Sequence, residues 1–419
     1  MSGRQTPPES PFSKTLQREE KRQAILSEAA GLFNRQGTRA TTLGDVAARL
    51  GLSKTTLYYY VKSKEELSYR CYLDSCRRVE EMLRDAEARG SDGAAMLAAF
   101  IHNYFDAWQA IRRGSAPNFA IFTEIRALQE GHRQEIAERY SRLYKRVRAM
   151  VRAGVADHSL AVASDVDTAL AVFGVLQLTV VWLPDIEPDD FGRMADEFID
   201  IVMYGVAARD AFEPRAFPGL PDRPAGFDRA ARNRRKQEAF CRIGSALFNR
   251  KGFKGSSLDE IAAALDVTKG AFYYHVKDKE DLLWQCFKRS LAIVREMQDL
   301  AVPGAGTGLE ELQLCACYLF QIQNSPDGPL IRFNLIPSLS AAHRRAVLKG
   351  IQQVSDRFGA MIERGIADGS IRAVDAFVAE QMLTSAINVC VELQRLRPIG
   401  DIPAASRSYF QVFFNGIAR

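Results

Sequence analysis

"LGLSKTTLYYYVKSKEEL", Leu50 to Leu67, sets three consecutive tyrosines between two groups of lysine, and "LDVTKGAFYYHVKDKEDL", Leu265 to Leu282, repeats the pattern 215 residues later without a gap. Over Phe33 to Leu67 and Phe248 to Leu282, 16 of 35 positions are identical, among them Gly37 with Gly252, Lys54 with Lys269, Tyr58 with Tyr273 and Lys64 with Lys279. The register continues to Cys71 with Cys286 and Met82 with Met297. Later, "AMVRAGVADHSL" (Ala149 to Leu160) answers "AMIERGIADGSI" (Ala360 to Ile371), and Val166-Asp167 answers Val374-Asp375. A whole half is therefore duplicated, Lys21 to Arg209 and Arg235 to Arg419. Between the copies, Asp210 to Asn233 holds four prolines and two glycines and reads as a linker.

Apolar residues recur at three and four, as in Leu143, Val147, Met150 and Val151, and no stretch alternates like a strand, so the expected fold is all-α. Each half opens with three short helices. The first ends near Gly37 or Gly252, residues suited to C-caps. The second starts after Thr41-Thr42 or Ser256-Ser257, whose hydroxyls suit N-caps, and a turn at Gly51 or Asp266 leads through Ser53 or Thr268 into the third. Short helix, tight turn, short helix is the helix-turn-helix arrangement, whose second member enters the major groove of DNA. The expected domains are 18–66 and 234–281 for the two helix-turn-helix heads, 67–209 and 282–419 for the two helical bodies, and 210–233 for the linker.

Charge agrees with two heads on a different kind of body. Arg18 to Lys64 carries nine Lys and Arg against four Asp and Glu; Arg229 to Lys279 carries twelve against five. With a net charge of +5 for 419 residues, everything outside these segments sums to −7. Basic modules on an acidic scaffold suit phosphate binding. On the third helix, Leu57 and Val61 share the inward face, leaving Lys54, Thr55 and Tyr58 on the other. A tyrosine there can lay its ring along a sugar and donate its hydroxyl to a phosphate. Part of the tyrosine cluster is expected simply to cap the small domain's core. Lys64, at a helix N-terminus, is expected to favour a phosphate.

Other classes find little support. The five histidines (His102, His132, His158, His275, His343) are scattered, and there is no G-x-S-x-G or glycine-rich phosphate loop. The seven cysteines lack paired C-x-x-C spacing, so they read as reduced core thiols, and no metal or cofactor is expected. The chain opens "MSGRQTPPES", without the basic and apolar regions of a secretory signal, so the cytoplasm is the expected compartment. The longest uncharged run, Thr168 to Leu183, is too short to span a bilayer and reads as a buried helix.

"ATTLGDVAARLGLSKTTLYYYVKSKEEL" and "GSSLDEIAAALDVTKGAFYYHVKDKEDL" both closely resemble the N-terminal signature of the TetR family of bacterial transcriptional regulators. The resemblance implies that Thr42, Lys54, Thr55, Tyr58, Tyr59, Tyr60 and Lys64 line double-stranded DNA, as do Ser257, Lys269, Gly270, Tyr273, Tyr274, His275 and Lys279. It also implies a ligand-sensing and dimerising body in each half. Family members usually carry one such unit, so two in one chain imply a covalent pseudo-dimer. Tyr104, Phe105, Trp108, Phe119, Phe122 and Trp182, with Tyr318, Phe320 and Phe333, are the candidates for a pocket taking an apolar effector of acyl type; the competing reading of these aromatics is plain core. The function expected is a ligand-responsive repressor binding an imperfect palindrome, against the alternative of a helical carrier or enzyme that kept the scaffold.

Overall fold

The computed structural model describes residues 18–122, 125, 128–208, 220, 229–265, 267, 269–273, 275–302, 305–325 and 327–419. Most of the expected linker therefore lies outside the described residues. Half one runs α1 (Arg18–Ala40), α2 (Leu43–Arg49), α3 (Lys54–Tyr60), α4 (Lys64–Arg89), α5 (Gly93–Arg112), α6 (Glu130–Ala156), α7 (Asp165–Leu178) and α8 (Phe191–Tyr204). Half two repeats it as α9 (Arg229–Gly255), α10 (Leu258–Ala264), α11 (Lys269–Tyr273), α12 (Lys279–Ala301), α13 (Gly308–Gln323), α14 (Ala341–Asp368), α15 (Ala376–Val389), the one-turn α16 (Leu393–Leu396) and α17 (Ile402–Phe414). The described residues form no β-strand, only two isolated bridges.

The local signals do what their chemistry allows. Gly37 (φ 81°) and Gly252 (φ 72°) each break the first helix of a half in a conformation other residues adopt only with strain. Thr42 closes a capping box with Asp45, whose carboxyl is held below its ordinary range chiefly by the Thr42 backbone N–H and hydroxyl. Ser53, Ser63, Ser257 and Asp278 cap α3, α4, α10 and α12 in turn. Thr268, the expected cap of α11, lies outside the described residues.

One alignment is corrected. The caps of α7 and α15 are Ser164 and Asp375, so equivalent residues there differ by 211, and Val166-Asp167 is not the counterpart of Val374-Asp375. Asp167 instead lies inside α7. The similar dipeptides concealed the shift because serine and aspartate both make good caps.

The buried helix expected near Thr168–Leu183 is α7 followed by short 3-10 turns, with every residue from Asp167 to Leu176 buried. A helix this apolar all round needs neighbours on all sides. It finds them in α6 of its own half and across the seam, where α7 and α8 pack on α15 and α17, and one hydrophobic core runs through both bodies. At the crossing, a Cβ on Gly174 would come 2.5 Å from Val389 Cγ1, so glycine sets the approach. The one described stretch long and apolar enough to cross a membrane, Ala376–Leu396, includes α15 and lies in this seam. All seven cysteines are free and six are buried; Cys317 is half-exposed.

The backbone contacts between halves come in reciprocal pairs offset by 211. Ala161 N donates to Ile417 O at 2.8 Å and Arg372 N to Val206 O at 3.0 Å. Val206 N donates to Phe413 O, and Ile417 N to Val202 O. The bridges Leu160 with Ala418 and Ile371 with Ala207 are related in the same way.

Candidate nucleic-acid interface

Each head is a three-helix unit whose small core is completed by residues of the body, such as Ile136 in half one and Val347 in half two. Leu57 is fully buried, as is its counterpart Phe272, and Val61 and Val276 follow on the same face. With that face inward, Lys54, Thr55, Tyr58 and Tyr59 are exposed, the tyrosines by 53% and 71%. Such large aromatics left in water beside cations are the surface a phosphate backbone would cover. In head two Tyr273 is 50% exposed, and Gly270 is exposed with nothing within 4 Å of where its Cβ would stand. Tyr274 and the side chain of Lys269 lie outside the described residues.

Several sequence-derived candidates also make contacts within the head. Lys64 Nζ donates to Thr41 O at 2.9 Å, and Lys279 Nζ donates to Ser256 O at 2.6 Å. These ammonium groups tie the start of the fourth helix to the turn before the second. Lys279 also lies over the Phe253 ring. Thr42 and Ser257 spend their hydroxyls on caps. Tyr60 is half-buried against the head's own core, and His275 is half-buried with its ring 5.5 Å from Phe240. Lys54 extends across α2, where a Cβ on Gly44 would meet its Cε at 2.7 Å.

The structure adds residues that the motif did not single out. Asn34 Nδ2 donates to Phe119 O at 2.8 Å while its Oδ1 accepts from Ile121 N, and Asn249 makes the same pair of hydrogen bonds with Leu330 O and Arg332 N. Each head is thus clamped to the body below it by one asparagine. The signal was present in the identical "FNR" triplets at Phe33 and Phe248. A second duplicated link joins α3 to α4: Arg70 donates to Tyr60 O and to Glu66, as Gln285 donates to His275 O and to Asp281.

Histidines join the start of the fourth helix to the body. His132 Nδ1 lies 2.7 Å from Glu65 Oε1 and stacks on Tyr69; His343 Nδ1 lies 2.6 Å from Glu280 Oε1 and stacks on Trp284. Burial alone would raise the Glu280 carboxyl, but bonds from His343 and Ser340 outweigh it and hold the group below its ordinary range. His158 contacts Arg419, and His102 lies 3.4 Å from Asp196. Among the described residues no cluster of three or more His, Cys, Asp or Glu is placed to hold a metal.

The aromatic candidates for an effector pocket are mostly packed on one another. Trp108 lies 4.7 Å from Phe119, Phe105 6.2 Å from Trp182, and Phe320 5.9 Å from Tyr409. Phe122 is half-buried between Tyr72 and Tyr140, and Tyr318 is buried. Phe333 borders a cavity of about 40 Å³ with Phe287, Leu319 and Ile387. Inside half one the Tyr104 hydroxyl and the Trp108 indole N–H are buried without a well-formed hydrogen bond among the described residues.

The sequence model for the N-terminal region of "Bacterial regulatory proteins, tetR family" matches twice, at residues 25–68 and 244–286. A model described as "Tetracyclin repressor-like, C-terminal domain" matches residues 77–206. The HTH-type transcriptional repressor KstR2 of Rhodococcus jostii is 30% identical over 215 residues, spanning 48% of this chain and 98% of that protein. The transposon Tn10 TetC protein of Escherichia coli is 26% identical over 168 residues, 37% of this chain and 78% of that one. The TetR family regulator PfmR from Thermus thermophilus covers 42% of this chain with 95% of its own, at 26% identity and a TM-score of 0.36.

Proposed function

Given that this chain belongs to the TetR family of bacterial transcriptional regulators, we propose that a single polypeptide acts in the cytoplasm as a repressor, occupying one operator as a covalent pseudo-dimer. The observation that carries this reading is the reciprocal set of backbone bonds at a constant offset of 211, the pattern of a two-fold interface closed within one chain. In a homodimer each copy presents the same reading helix to the same half-site. Here one chain supplies both.

Backbone affinity rests on Lys54, Tyr58, Tyr59 and Tyr273, with Lys64 and Lys279 acting as positioning residues through the carbonyls they hold. The two reading helices differ at Thr55 against Gly270, both exposed. Threonine can hydrogen-bond a base edge or touch a thymine methyl, whereas glycine offers only close backbone approach, so the operator is an imperfect palindrome. An apolar effector enters one body rather than both. Repression agrees with the name of the KstR2 relative.

Selection of preferred sites from random duplexes tests the reading, with light scattering of the resulting complex. The expected outcome is one chain per site and a consensus whose half-sites differ at equivalent positions. A perfectly symmetric consensus, or two chains on each site, overturns it.

A further inference from the structure

The halves differ at the outer edge of the seam, where the same location is closed in one copy and open in the other. In half one, α8 and the turn before α15 are joined by two ion pairs, and α5 meets α8 through a histidine. Arg193 Nη1 lies 2.7 Å from Asp375 Oδ2, Arg372 pairs with Asp200 at 2.5 Å, and His102 sits beside Asp196. The equivalent positions in half two, by the offsets of 215 for α5 with α13 and 211 for the rest, are Ala404 with Ser164, Ala161 with Gln411, and Cys317 with Arg407. Both ion pairs are lost, and the histidine–aspartate contact is replaced by a thiol and a guanidinium. What remains between α13, α17 and Ala163 is a groove of about 450 Å³.

Its walls are not uniform. Leu314, Phe410 and Phe414 supply an apolar lining, while Arg407 is an exposed cation at the edge that pairs with no carboxylate among the described residues. Glu310, also on the edge, accepts from Gly306 N and is committed to the start of α13. Ser406 is turned to the Cys317 sulfur at 3.3 Å. The volume falls in the roughly 300–1,000 Å³ range of small-molecule sites, which combine apolar lining with a few placed polar groups.

We infer that this groove is a ligand site, one per chain, for a small amphipathic carboxylate whose hydrocarbon body lies on Leu314, Phe410 and Phe414 and whose carboxylate meets Arg407. It is separate from the interior aromatic cluster of half one. Ala163 N donates to Gln411 Oε1 beside the groove, so a bound molecule touches both halves where they join.

Titration calorimetry of the full chain with sodium decanoate and with 1-decanol tests the assignment. Decanoate is expected to bind once per chain. Arg407→Gln should weaken it roughly five- to tenfold while leaving 1-decanol unchanged, the effect of losing one charge-assisted contact. Ser164→Asp combined with Ala404→Arg restores the ion pair of half one, keeps a capping residue on α7, and should abolish binding. Unchanged melting and DNA affinity establish that this variant is folded. Binding that survives the closed variant places the ligand in the interior, which overturns the groove and leaves the effector reading standing. Two equal sites, no decanoate binding, or equal loss of decanoate and 1-decanol in Arg407→Gln also overturn it.

Discussion

Replacing Arg397 with methionine isolates the most exposed weakness of a seam made from two unlike halves. Arg397 reaches across from half two and holds Asp167 with two bonds of 2.6 Å, and Asp167 is completely buried in α7. The equivalent positions on the opposite side of the seam are Ile186 and Val378, so the pair exists once. Methionine keeps most of the volume and removes the charge. Stranding one member of a buried ion pair costs about 3–5 kcal/mol. The Arg397 side chain is 28% exposed, so water already screens part of the interaction, and about 2–3 kcal/mol is the appropriate figure here. For a cooperative unit of this size that corresponds to roughly 2–5 °C of melting temperature. Tryptophan fluorescence during thermal unfolding reports it directly, because Trp182 lies 5.7 Å from Phe377 across the seam. The second substitution Asp167→Ala, added to Arg397→Met, should recover more than half of the loss, since no buried charge is then left behind. A loss below about 0.5 kcal/mol in Arg397→Met, or no recovery in the double variant, would refute the reasoning that this pair holds the halves together.

Lys54→Met should lower the salt slope of DNA binding by about one, whereas Lys64→Met should leave the slope unchanged and destabilise head one by about 1 kcal/mol through the carbonyl it deserts; salt titrations and hydrogen exchange of the head read the two effects separately. Asn34→Ala, which cuts both clamp bonds, should cost about 1–3 kcal/mol locally and speed amide exchange throughout head one but not in the seam. Gly270→Thr meets open space, so it should fold normally, gain a few tenths of a kcal/mol of helix propensity, and draw the second half-site toward the first in a selection experiment. Glu280 has a depressed pKa in the folded chain, so its contribution is present above the ordinary glutamate range and lost as pH falls through the folded value; Glu280→Gln should therefore destabilise head two at neutral pH, and the difference should shrink as pH falls below the ordinary glutamate range, with Trp284 emission as the reporter.

What the linear chain determined by itself was everything carried by short-range chemistry repeated twice. Glycines at the ends of the first helices, hydroxyls three residues before a backbone N–H, and Leu57 with Val61 against exposed Lys and Tyr are spacing signals, and each needs only neighbours within one or two turns to act. Duplication made them legible, because a pattern written twice separates constraint from accident. The direction of a long side chain was not legible in this way: Lys64 at a helix start suits an anion outside the head as well as a carbonyl inside it, and only the packing of α4 against the first turn decides for Thr41 O. The aromatic stripes could equally be lining or filling, since helical spacing states that a face is buried without stating how tightly. The closed and open edges of the seam depend on residues more than a hundred positions apart, such as Arg193 with Asp375 and Ala404 with Ser164. No local pattern brings them together. The tertiary structure does so because α7 and α15 are too apolar to stand alone, and burying them against each other is what sets the two halves in register.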